Sequence, residues 1–146
     1  MLNLTVPAGT QPTRTIVRTL SDKARSILKK PCIAHFATLM PDGSPQVSPV
    51  WVDVDGDTIL INSAVGRVKD RNVREDSRVA LSAADPDNPY SSVMIRGKVV
   101  EITTEGAVTH IDAMAKKYIG QDKYPFGQPG EVRVLYKIEA DSVSTM

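Results

Sequence analysis

Residues 32–62 read CIAHFATLMPDGSPQVSPVWVDVDGDTILIN, and the punctuation of that run decides the fold. Cys32 to Leu39 is a strand, largely apolar on both faces. Pro41-Asp42-Gly43-Ser44 is a strong turn signal, and Pro45 to Val54 returns as a second strand. Asp55-Gly56-Asp57 is a further hairpin turn, and Thr58 to Asn62 is a third strand.

Upstream, residues 1–19 carry Pro7, Gly9 and Pro12 without periodicity and are expected to form an extended arm. Ser21 caps a first helix, Asp22 to Lys30, with Ala24, Ile27 and Leu28 inward and Pro31 as its stop. Downstream come a short helix, a strand from Arg78 to Ala84, a hard break at Asp85–Pro89 and a long strand from Ser92 to Ile102. Gly97 within that strand reads as a bulge or bend. Thr103 or Thr104 caps a helix to about Tyr118, with Val108, Ile111, Met114, Ala115 and Tyr118 on one stripe, and Gly120 ends it. A Pro- and Gly-rich loop leads to a last strand, Val132 to Ile138.

Six strands joined mostly by hairpins predict a mainly β (α+β) fold, a small antiparallel barrel with a few flanking helices spanning residues 20–146. Strands apolar on both faces suggest that a second copy of the chain covers one outer face. The 146 residues hold 18 basic and 17 acidic side chains, a net charge of +1, which argues against general nucleic-acid binding. The one cysteine, Cys32, excludes an internal disulfide framework, and no His/Cys/Asp/Glu spacing suggests a metal site. No basic-then-apolar leader and no run of membrane-spanning length is present, so a soluble, cytoplasmic protein is expected.

After the third strand the chain reads Asn62-Ser63-Ala64-Val65-Gly66-Arg67-Val68-Lys69-Asp70-Arg71-Asn72. A loop entering a helix N-terminus suits an anion, because unpaired N–H groups and the macrodipole converge there. Arg and Lys add a forked donor and a point charge, the two shapes that hold phosphate. A solvated basic patch is the plain alternative. If the helix starts at Arg67, Lys69 points away from Arg67 and Arg71; if Asp70 is the cap, Arg67 and Lys69 lie in the loop and converge. The remaining chemistry-bearing residues read blandly. Trp51 suits core or dimer packing, His35 is expected as a satisfied core histidine, His110 as an exposed helix residue, and Cys32 as buried packing.

With these motifs in hand, the chain resembles the pyridoxamine-phosphate-oxidase-like split-barrel proteins. Ala37-Thr38-Leu39 with Pro41 to Trp51 is similar to their first hairpin. Gly66 to Asn72 followed by Asp76-Ser77-Arg78-Val79-Ala80-Leu81 resembles their phosphate loop and next strand. Asp85 to Tyr90, Arg96-Gly97-Lys98-Val99 and Ala115-Lys116-Lys117-Tyr118 resemble the branch that uses the deazaflavin coenzyme F420.

The resemblance implies a six-stranded split β-barrel that dimerises, with two flavin or deazaflavin sites across the subunit interface. It places the cofactor phosphate on Arg67 and Lys69. The ring system would lie along Gln46, Ser48, Val50 and Trp51 of the second strand and Asn62, Ser63 and Ala64 of the third. Lys116, Lys117 and Tyr118 would either end a helix or meet the acidic tail of F420. True pyridoxamine-phosphate oxidases carry a C-terminal Arg-x-His element; here the last residues are Asp141 to Met146, without Arg or His, which argues against vitamin B6 oxidation.

The expected activity is therefore hydride transfer from reduced F420 to a conjugated small-molecule acceptor of quinone, tetrapyrrole or enone type. No catalytic acid or base is assigned, because the cofactor carries the chemistry and the protein positions it. The alternatives are an FMN-binding oxidoreductase, a non-catalytic flavin or deazaflavin carrier, and a haem-binding relative that would need His35 or His110 as axial ligand.

Overall fold

The hairpin run forms as its turns predict, with one break. In the computed structural model, which describes residues 19–146, β1 is Ile33–Leu39, β2 Pro45–Trp51, β3 Asp53–Asp55 and β4 Thr58–Ala64. The expected single strand from Pro45 to Val54 is two strands, divided at Val52. The cause is a helix. The Val52 N–H donates to the Tyr118 hydroxyl at 2.9 Å, and its carbonyl accepts from Lys117 Nζ at 2.7 Å. Both backbone groups are bonded to side chains, so Val52 has none to offer a ladder.

That break also closes the barrel. The remaining strands are β5 (Arg78–Asp85), β6 (Asn88–Thr103) and β7 (Arg133–Thr145), and the order across the sheet is β2-β1-β5-β6-β7-β4-β3. Every pairing is antiparallel. Only Val52 separates β2 from β3, yet they occupy opposite edges. Laid flat, six strand spacings would set those edges about 29 Å apart. The sheet must curl until its edges meet, which makes it a split antiparallel barrel of seven segments rather than six.

Among the described residues three helices surround it: α1 (Asp22–Lys29), α2 (Val68–Glu75) and α3 (Ala107–Ile119). Ser21 caps α1 by accepting the Ala24 N–H at 3.1 Å, and Ala24, Ile27 and Leu28 are buried as their spacing predicts. In α3 the expected threonine cap is replaced by Gly106, at φ 75°. Thr103 Oγ1 instead accepts the Glu105 N–H in the turn before it. Ile111, Met114 and Ala115 are buried as their spacing predicts and Ala107 joins them, while Val108 lies outside. Gly120, at φ 70°, ends α3 as expected.

The core lies inside the curl, built from Phe36, Ile59, Ile61, Val93, Val134, Tyr136 and Ile138 with α1 beneath, and Cys32 is buried among them. Gly97 sits at a register shift between β6 and β7, where an added Cβ would overlap the Glu139 carbonyl. His35 is not a core residue. Ala34 and Phe36 point inward, so the two-residue period turns His35 to the exposed outer face. The arm expected over residues 1–19 lies outside the described residues except for Thr19. Among the described residues no helix is long and apolar enough to cross a membrane.

Candidate functional site

The end of β4 and the start of α2 hold the basic loop. β4 runs through Ser63 and Ala64, two residues further than expected. Arg67 is the N-cap of α2, and Asp70 lies in its first turn rather than capping it. Asp70 nonetheless organises the loop from within the helix. Its carboxylate accepts the Gly66 N–H at 3.0 Å, Arg74 Nε at 3.1 Å and the Tyr136 hydroxyl at 2.7 Å. Burial alone would raise its pKa, but these three donors outweigh it and hold the carboxyl below the usual aspartate range.

This geometry turns Arg67 and Lys69 into one cavity of about 340 Å³, together with Val50, Trp51 and Asn62. Arg71 is not part of it; its guanidinium bonds the Gly66 carbonyl at 3.1 Å on the exposed side of the loop. Lys69 is half-buried. Burial pushes its pKa down, and the nearby Arg67 and Arg133 guanidiniums push the same way. No hydrogen bond or ion pair to another described residue offsets that cost.

Arg133 is the third cation of the cavity, and the sequence reading missed it. It stands opposite Ala64 in the β4–β7 ladder, hence on the same face as Ala64 and Asn62. The small Ala64 side chain leaves room for the guanidinium to reach Asn62 Oδ1 with Nε at 3.0 Å. Nη1 meets Glu131 at 2.8 Å, and the guanidinium carbon lies 5.0 Å from the Tyr124 ring centroid. Glu131 also reaches Arg67 at 3.6 Å. Burial would raise the Glu131 pKa, but Arg133 and Arg67 hold it down. Two guanidiniums thus share one carboxylate, and the Lys69 ammonium beside them has no paired charge among the described residues, an arrangement suited to a further anion. The available signal was a charged residue immediately before the apolar run Val134-Leu135-Tyr136.

Aromatic residues form the other wall. Trp51 stacks on Tyr118 at 4.9 Å between centroids with planes 6° apart, and Tyr124 meets it edge-on at 5.9 Å. Phe126 in turn meets Tyr124 edge-on at 5.6 Å. One face of Trp51 is therefore taken by packing, and only its remaining edge and face are left for a ligand.

The other expected residues are dispersed. Gln46, Ser48 and Val50 share the inner face of β2. Gln46 Oε1 accepts from Thr38 Oγ1 at 3.2 Å, while the buried Ser48 hydroxyl has no hydrogen-bond partner among the described residues. Ser63 points into the barrel interior beside Tyr136, away from the cavity, and Ala64 is buried against Arg133. His110 is not exposed: its side chain is 11% accessible, bonded to Asp53 at 3.0 Å and to Asn62 at 3.2 Å. Lys117 and Tyr118 are committed to the backbone of Leu28, Cys32 and Val52, and Lys116 pairs with Asp122. A groove of about 460 Å³ on the outer sheet face carries Arg78 and Arg96, but Arg78 is already paired with Asp76 at 2.7 Å. The Arg67–Lys69–Arg133 cavity has the stronger claim because its cations converge.

The comparisons agree with this architecture. A solved F420 reductase is 30% identical, with a TM-score of 0.75, covering 86% of this chain and 98% of its own. A conserved hypothetical protein of Mycobacterium tuberculosis is 22% identical with a TM-score of 0.69, over 92% of this chain and 89% of its own. The HupZ protein of Group A Streptococcus is 17% identical with a TM-score of 0.63, over 87% and 94%. These last two establish likeness of fold alone. The family model for pyridoxamine 5'-phosphate oxidase matches residues 20–146, nearly the whole of the barrel just described. The chain belongs to the pyridoxamine 5'-phosphate oxidase family of split β-barrel proteins.

Proposed function

We propose that this protein is a homodimeric, F420-dependent reductase that passes a hydride to a conjugated small-molecule acceptor. The observation that carries the proposal is the cavity in which Arg67, Lys69 and Arg133 converge, with Glu131 pairing the two guanidiniums and no ion pair to Lys69 among the described residues. The 30% identity to a solved F420 reductase supports the deazaflavin as the ligand. The residues fit such a group chemically: cations for a phosphate, apolar and aromatic walls from Val50, Trp51, Tyr124 and Phe126 for a flat ring. When bound, reduced F420 supplies the hydride.

The chain's own work is to bind and orient. Arg67 and Lys69 would hold the phosphate, Arg133 would add a donor plane stacked on Tyr124, and Asn62 would fix that plane from behind. The inner face of β2, with the unpartnered Ser48 hydroxyl, would offer a polar edge to the ring. The aromatic wall would exclude water from the reacting face. The outer sheet face supports a second copy: Ile33 of β1, Val47 of β2 and Met94 of β6 are 46%, 62% and 44% exposed. Ile33 also lines the cavity, so this face reaches its rim.

FMN is the second reading, favoured by the family match over residues 20–146. A non-catalytic carrier is the third. Fluorescence titration of the stripped protein with F420 and FMN separates the first two. Turnover of a quinone by reduced F420 separates a reductase from a carrier. Binding of neither cofactor would refute the site.

A further inference from the structure

Behind the cavity a line of hydrogen bonds crosses four elements. Asp53 Oδ2 on β3 meets His110 Nε2 of α3 at 3.0 Å, and His110 Nδ1 meets Asn62 Nδ2 of β4 at 3.2 Å. Asn62 Oδ1 then accepts from Arg133 Nε of β7 at 3.0 Å.

The direction of every bond follows from the partners at the two ends of Asn62. The Ala107 carbonyl, 2.8 Å from Asn62 Nδ2, can only accept. Arg133 Nε can only donate. Asn62 therefore presents its amino group to Ala107 and His110 and its oxygen to Arg133. His110 Nδ1 must be the bare, accepting nitrogen, and the ring proton sits on Nε2, donated to Asp53. Asp53 suits that role: burial would raise its pKa, but the His110 and Val54 N–H bonds hold it ionised.

We propose that His110, in this single tautomer, is a positioning residue for the anion cavity: through Asn62 it holds Arg133 in place, and a proton on Nδ1 releases that hold. The proposal rests on reading the cavity as an anion site. A proton on Nδ1 would set one N–H against another at Asn62. Relief requires turning the amide over, which breaks the Ala107 bond and sets an amino group against Arg133 Nε. Arg133 would keep Glu131 and Tyr124 but lose the acceptor that fixes its plane. The groups bearing on His110 are Asp53 from β3, Lys117 of its own helix, which acts on Asp53, and Arg133 of β7 through Asn62.

The sign of the pH effect separates this from simple electrostatics. A new imidazolium beside an anion site would tighten anion binding in acid; release of Arg133 weakens it. Inorganic sulfate is the probe, because its own charge stays constant over the pH range assayed. In the full chain labelled with ¹⁵N, the His110 nitrogens should report the Nε2–H tautomer at neutral pH. The Arg133 Nε–H should exchange slowly until His110 protonates. His110→Phe should expose that N–H and weaken sulfate binding about tenfold, the scale of one charge-assisted bond. In an Arg133→Met background the same change should add nothing. His110→Gln, which keeps an acceptor for Asn62, should retain neutral-pH affinity and lose the acid dependence.

Equal protection of the Arg133 N–H in wild type and His110→Phe would overturn the proposal. So would an undiminished His110→Phe effect in the Arg133→Met background, or tighter sulfate binding in acid. Wild type that binds no sulfate would refute the anion site itself, whereas sulfate binding indifferent to His110 would refute only the positioning role.

Discussion

Lys69→Met should lose cofactor affinity without losing stability. Methionine keeps the length and apolar stem of lysine, so the packing of the half-buried side chain is retained. Removing the ammonium deletes one charge-assisted hydrogen bond to the bound anion, about 1.5–3 kcal/mol. At 1.4 kcal/mol per decade that is roughly a 10- to 150-fold rise in Kd. The free protein behaves in the opposite sense. Lys69 is buried beside Arg67 and Arg133, which lower its pKa in the fold. A lysine whose pKa falls on folding costs stability while charged, and that cost is relieved as pH rises from the folded value toward 10.5. The variant should therefore melt at or slightly above the wild-type temperature near neutral pH, and should lack the alkaline rise in stability. The assays are fluorescence titration with F420 and FMN and thermal unfolding at several pH values. Arg133→Met is the contrast, since it strips Glu131 and Asn62 of a partner and should lower both affinity and stability. Unchanged Kd for both cofactors in Lys69→Met, with the wild type binding, would refute the phosphate reading.

Three further outcomes concern the scaffold. Asp70 has a depressed pKa in the fold, so its stabilisation is present above the unfolded value near 3.8 and is lost as pH falls through the lower folded value; Asp70→Asn should flatten acid unfolding in that window and loosen the Gly66 loop. Gly97→Ala would force a methyl group into the Glu139 carbonyl, and overpacking of this kind costs about 1–3 kcal/mol, read as a lowered denaturation midpoint with little change in slope. Lys117→Met should unbond the Leu28 and Val52 carbonyls, destabilise the fold by about 1–3 kcal/mol and leave cofactor Kd within twofold or so, because its ammonium serves the backbone and not the cavity.

Much of this protein was legible along the chain because the signals are local. Turn chemistry at Pro41–Ser44 and Asp55–Asp57 and the β-branched runs between them specify antiparallel hairpins without reference to anything distant. The Ser21 cap, the Gly97 bulge and the Gly120 stop are likewise properties of one or a few residues. Half of the cavity was readable for the same reason, since Arg67 and Lys69 lie two residues apart at the N-terminus of α2.

What tertiary structure alone decided is everything that joins distant positions. The break at Val52 exists because Lys117 and Tyr118, more than sixty positions later, claim its backbone, and no local propensity records that. Arg133 enters the site through its register opposite Ala64, and register is a relation between two strands. His110 looked exposed and His35 looked buried because a helical stripe and a strand face each have a phase, which packing sets. Half a turn of a helix or one step of a strand exchanges inside for outside. The sequence by itself determined which elements form; the closing of the sheet determined which side chains meet.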